Sequence, residues 1–200
     1  MTMTEIDRDL VTLHTLKIKG RAGEEEILTV VGGSSEELSE TLASLSEQEL
    51  VIERTGGRRP GWMLSPTGRA KHEELLAEGV SDEDRENLAE IYEGFLALNA
   101  TVKEISSKWQ AVSDDAERFE LMEEMHEVHP DAAETLSNAG GIIDRFGRYG
   151  DRLGTALEMV EEDPRYMVSP AVDSYHTIWF EAHEDFLLTL GRTRQQEGSA

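Results

Sequence analysis

Along the first part of the chain, apolar residues return at helical spacing. Ile6, Leu10, Leu13 and Leu16 fall four and three residues apart and predict a first helix over residues 5–16, ended by Lys17, Ile18, Lys19 and Gly20. A short second helix is expected at Glu24–Val31, with Ile27, Leu28 and Val31 turned inward, and Gly32 and Gly33 supply a tight turn after it. Ser34 followed three residues later by Glu37 is a capping-box pattern. The third helix it opens presents Leu38, Leu42 and Leu45 on one side and runs to about Glu49. Two β-prone segments follow, residues 50–54 and 62–64, separated by a turn rich in Gly, Arg and Pro, and they predict a hairpin. From Ser65 the chain resumes as a fourth helix through Leu75 and Leu76 to Gly79.

From Ser81 onward the pattern is helical throughout. Leu88, Ile91, Tyr92, Phe95, Leu98, Asn99, Val102 and Ile105 recur at three- and four-residue steps and predict a long amphipathic helix to about Trp109. Asp114 and Asp115 open another, with Phe119, Met122 and His126 stacked along it, and Pro130 is expected to start a further segment carrying Ala133 and Leu136. Gly140, Gly141, Gly147 and Gly150 break up the middle, and Leu153, Leu157 and Val160 line a helix stopped by Pro164. Ser169 and Pro170 have the residue types of a cap and first helical position for a last helix ending near Gly191. The expected fold is therefore mainly α: a module at residues 1–80, an antiparallel helical bundle at 81–192, and a disordered tail at 193–200.

Charge complicates the picture. Acids outnumber bases 42 to 19, for a net charge of −23, and the imbalance is uneven. Residues 1–80 hold 15 acids and 9 bases, while the remainder holds 27 and 10. The absence of Cys excludes disulfides and thiolate zinc sites, and suits a reducing cytoplasm. No run of apolar residues is long enough for a membrane span or signal peptide, and so acidic a surface opposes adhesion to anionic lipid.

Helix, helix, turn, helix, hairpin, helix is the winged helix-turn-helix order, with three or four helices and the hairpin as wing. The stretch LASLSEQELVIERTGGRRPGWMLSPTGRAKHEELLAEG resembles the third helix, wing and following helix of MarR-like bacterial regulators. In those, a leucine-rich helix runs into a Leu-Val strand, here Leu50-Val51, and the wing returns through Leu-x-Pro-x-Gly-Arg, here Leu64 to Arg69. The likeness covers roughly residues 10–78. The whole chain, including DSYHTIWFEAHEDFLLTLG, is also similar to short winged-helix regulators of the actinobacterial type, and similar modules occur attached to phosphoenolpyruvate-utilising enzymes.

This resemblance implies a transcriptional regulator that binds double-stranded DNA as a homodimer. The third helix would enter the major groove through Ser35 and Ser39, and Arg54, Arg58 and Arg59 of the wing would contact phosphates. Glu36, Glu37, Glu40, Glu47 and Glu49, with no Lys or Arg between residues 34 and 50, depart from the usual recognition helix. The alternative keeps the fold and changes the partner to a protein, such as a phosphoenolpyruvate-utilising enzyme.

The last helix carries His176, Trp179 and His183 on its apolar face, as the long helix carries Asn99. Buried polar groups need partners. Asn99, Trp109, His176, Trp179 and His183 are therefore expected either to bond within the core or to line a pocket for a small-molecule effector. A metal reading through Asp173 and His176 with His126, His129 or His183 fails on spacing, since His176 and His183 stand about 10.5 Å apart along one helix. No phosphate loop, GxSxG turn, HExxH or cysteine nucleophile is present, so neither an enzyme nor a cofactor site is expected.

Overall fold

Short-range capping and glycine turns set the boundaries of the helices in the computed structural model, which describes residues 5–57 and 59–193. Arg58, the side chain of Ile6 and residues 194–200 of the expected tail lie outside the described residues. The chain divides into two units, one ending at Ser81 and one beginning at Asp82, each with its own hydrophobic core.

In the first unit, helices α1 (Glu5–Lys19), α2 (Glu24–Val31) and α3 (Ser35–Glu47) are followed by the strands β1 (Val51–Arg54) and β2 (Gly61–Leu64) and by α4 (Pro66–Gly79). Gly20, Gly32 and Gly33 adopt positive φ, which lets the chain reverse between the helices without strain. The α3 capping box forms: the Glu37 N–H donates to Ser34 Oγ at 3.2 Å and the Ser34 N–H donates to Glu37 Oε2 at 2.8 Å. The strands pair antiparallel with Val51 opposite Leu64 and Arg54 opposite Gly61, and a single bridge between Ala22 and Trp62 extends the pairing to the segment before α2. Leu13, Leu16, Ile27, Leu38, Leu42, Leu45 and Leu64 close the core. Gly68 marks the tightest approach: a Cβ there would lie 1.9 Å from the Leu50 carbonyl oxygen, so α4 presses directly on the backbone entering β1. His14 Nδ1 and His72 Nε2, both buried, share a hydrogen bond of 2.8 Å that ties α1 to α4.

The second unit is all helix: α5 (Asp82–Ala111), α6 (Asp115–Ile142), a 3₁₀ turn (Asp144–Phe146), α7 (Gly147–Met159), the short α8 (Arg165–Val168) and α9 (Tyr175–Leu190). Several expectations need correction here. Pro130 starts no new segment, because α6 runs through it. A proline forfeits one intrahelical N–H bond, yet a helix packed on two neighbours survives that loss. The buried edge of α6 is Leu121, Met125, Ala132, Leu136 and Ala139, which leaves Phe119 exposed. Gly147 and Gly150 lie within α7, and Gly140 allows close contact: a Cβ on it would meet the Gly147 nitrogen at 2.7 Å. Ser174, not Ser169, caps the last helix through the Thr177 N–H at 3.3 Å, while Ser169 accepts from the Ala171 N–H and opens a turn. Among the described residues no helix is long and apolar enough to cross a membrane.

Candidate functional site

With Leu38, Thr41, Leu42 and Leu45 held in the core, α3 turns Ser35, Glu36, Ser39, Glu40 and Ala43 to solvent together. No Lys or Arg lies on this helix. The neighbouring cation Arg8 is engaged by Glu37 at 3.4 Å. The Ser34 N–H bond, and then Arg8, hold the Glu37 carboxyl below its ordinary range.

The hairpin presents Arg54 at the exposed end of β1, beside the turn. Arg59 is less free than its place in a glycine-rich loop suggests: its Nη2 donates to Glu26 Oε1 on α2 at 2.6 Å. Arg21 Nη1 donates to the Arg59 carbonyl at 3.1 Å, and Trp62 Nε1 donates to Glu24 at 3.3 Å. Partial burial raises the Glu26 pKa, but the Gly23 N–H bond and Arg59 outweigh it and leave the carboxyl below its usual value. The hairpin is thus latched to the N-terminus of α2. Of the five expected contact residues, Ser35, Ser39, Arg54 and Arg59 are exposed, and Arg58 lies outside the described residues.

The interior positions separate into two groups. Trp179 Nε1 donates to Asn99 Oδ1 at 2.9 Å, and the Trp179 ring stacks on Phe95 at 4.3 Å between centroids. Tyr92 OH and His183 Nε2 share a hydrogen bond at 2.9 Å, and Phe95 also packs on His183. Asn99, Trp179 and His183 therefore belong to one filled cluster in which each polar atom named has a partner. Trp109 does not join it: ten residues beyond Asn99, it stands about 15 Å further along α5. His176 is half-buried near the start of α9, and burial, with Lys103 nearby, lowers its pKa.

A second polar cluster was not foreseen from the sequence. Asp185 is fully buried on α9 and receives Arg145 Nε and Nη2 at 3.1 and 3.0 Å, Tyr149 OH at 3.1 Å and Thr189 Oγ1 at 2.9 Å. One turn away, Arg152 is clasped by Asp173 and Glu181, each at 2.7 Å from its Nη2. Burial, then the charges of Asp185 and Glu181, push the Tyr149 phenol well above its ordinary value, which keeps it a donor. The available signal was Glu181 and Asp185, four residues apart in the last helix. Placing the core on one face of α9 hid it, because this helix is buried on almost every side.

Two buried ion pairs, Arg145–Asp185 and Arg152–Glu181, and a more exposed one from Arg152 to Asp173 form a structural clamp. They offer no exposed nucleophile; in the first unit, the outward side of α3 and Arg54 and Arg59 of the hairpin are exposed. No protein-family model, curated protein or solved structure matches this chain.

Proposed function

We propose that the first unit is a winged helix-turn-helix that lays α3 and the β1–β2 wing on duplex DNA, making the chain a transcriptional regulator of the MarR-like kind. The observation that carries this reading is the wholly outward row Ser35, Ser39 and Ala43 on α3, next to a hairpin ending in exposed Arg54. Phosphate contact falls to the wing, since α3 has no cation, and Glu36 and Glu40 suit only base pairs that offer amino hydrogens, as cytosine N4 does. The protein acts in this reading as a cytoplasmic homodimer straddling two half-sites. Because Asn99 is bonded to Trp179 and His183 to Tyr92, an effector acting there would have to break those contacts.

Fluorescence anisotropy against duplex DNA, from low to physiological salt, tests the proposal. Binding should weaken steeply with salt, and R54A/R59A should lower affinity for every sequence and flatten the salt slope by about one per lost contact. Ser39→Ala should alter only the preferred site. Absence of binding at low salt overturns the reading.

One observation favours a different partner. Glu36, Glu40 and Glu47 are exposed on α3, while Arg8 and Arg59 are both paired within the unit. Such a surface complements a basic protein, for which the phosphoenolpyruvate-utilising enzymes suggested by sequence resemblance are the first candidates. A chain that ignores DNA yet associates with such a purified enzyme, less tightly as salt rises, would establish this second reading.

A further inference from the structure

Where α5 runs into α6, the two helices leave an open cavity of about 420 Å³. Lys108 and Ala111, at i and i+3 of α5, and Val112 just past its end line one wall. Glu117, Glu120, Leu121 and Glu124 line the other, at i, i+3, i+4 and i+7 of α6. The floor is aliphatic and the rim is acidic. Lys108 offsets that rim only in part, because its Nζ is drawn one turn back to Glu104 at 2.8 Å and Glu124 acts on it more weakly.

Size, lining and charge together select a class of ligand. The volume is that of a small-molecule site. No aromatic ring lines it, so it lacks the box that captures a single compact cation. Along the helix axis Glu117 and Glu120 are offset by about 4.5 Å, and Glu120 and Glu124 by about 6 Å. A row so spread cannot close around one dication, and among the described residues no group of three His, Asp or Glu is placed to hold a metal ion. It does match positive charges strung along a chain.

We propose that this cavity binds a linear aliphatic oligoamine, with ammonium groups three or four methylenes apart. Successive ammonium groups pair with Glu117, Glu120 and Glu124, and the intervening methylenes cover Ala111, Val112 and Leu121. Each contact alone is weak and screened by salt, so affinity comes from engaging several at once.

Calorimetric titration of the full chain with spermidine tests the proposal against simple attraction to an acidic protein. Two variants remove equal charge from the same helix: E120Q/E124Q within the cavity, and E123Q/E127Q on exposed positions outside it. Binding should saturate at one site, weaken about ten-fold in the first variant and stay within about two-fold in the second. Magnesium at matched ionic strength should not displace it. Failure to saturate, equal weakening in both variants, or displacement by magnesium would each overturn the proposal. Thermal melts of both variants should match the parent, since neither substitution touches a buried side chain.

Discussion

Changing Asp185 to Asn keeps the size of a fully buried side chain and removes its charge. The wild-type carboxylate accepts from Arg145 through two nitrogens, from Tyr149 and from Thr189. An amide offers one acceptor oxygen in place of two and turns hydrogens toward donors, so the Arg145 guanidinium is left without a counter-charge. Removing one partner of a buried pair costs about 3–5 kcal/mol, because the remaining charge stays desolvated. The Arg145 side chain keeps 11% exposure, which places the cost near the lower end of that range. For a unit of this size, about 3 kcal/mol lowers Tm by about 10 °C. A Trp62→Phe background confines tryptophan fluorescence to Trp109 and Trp179, both in the second unit. Urea midpoints for D185N, R145Q and R145Q/D185N then complete a cycle. The double variant should be no less stable than D185N, revealing a coupling of about 2 kcal/mol. A D185N variant within about 1 kcal/mol of the parent, or strict additivity, would refute a structural clamp.

Other consequences reach both units. Glu26→Gln releases Arg59 from α2 and should strengthen DNA association by up to about five-fold, the scale of an exposed ion pair, as read by anisotropy. Gly68→Ala forces a methyl against the Leu50 carbonyl oxygen and should cost the first unit about 3 kcal/mol or more by urea denaturation, an outcome excluded if the midpoint is unmoved. His129 and His176 are lowered below 6.5 by burial, so the unfolded chain binds their protons first and stability falls as pH drops below that value. H129Q/H176Q should therefore lose less stability than the parent between pH 7 and pH 5.5, measured by urea midpoint. Ser34→Ala removes the α3 cap and should cost about 1 kcal/mol.

Local chemistry explains which parts of this structure were legible in the sequence. The Ser34–Glu37 box and the glycines at positions 32 and 33 bounded α2 and α3, since each acts over a few residues. Leu38, Leu42 and Leu45 identified the buried side of α3, and with it the exposed one. Pro130 misled because its penalty is local while its compensation, packing of α6 on both α5 and α7, is not. Phe119 misled in the same way: helical spacing admits more than one face, and only the neighbours decide which is covered. Asn99 and His183 were recognised as needing partners, but Tyr92 and Trp179 as those partners required the relative placement of α5 and α9. The Asp185 cluster depends on three separate elements, which no single-helix projection can bring together. The latch from Arg59 to Glu26 spans 33 residues and was equally out of view.

The helix at the centre of the second unit, α9, is also the last among the described residues. Tyr175, Trp179, Phe186 and Asp185 fill the middle of the bundle, so α5, α6 and α7 have no completed core until residues 175–190 have been synthesised. During translation the first unit can close while the bundle waits, its arginines and aromatic side chains still in water. A nascent chain paused before Tyr175 therefore carries a finished module trailing a bundle whose core still lacks the side chains of α9.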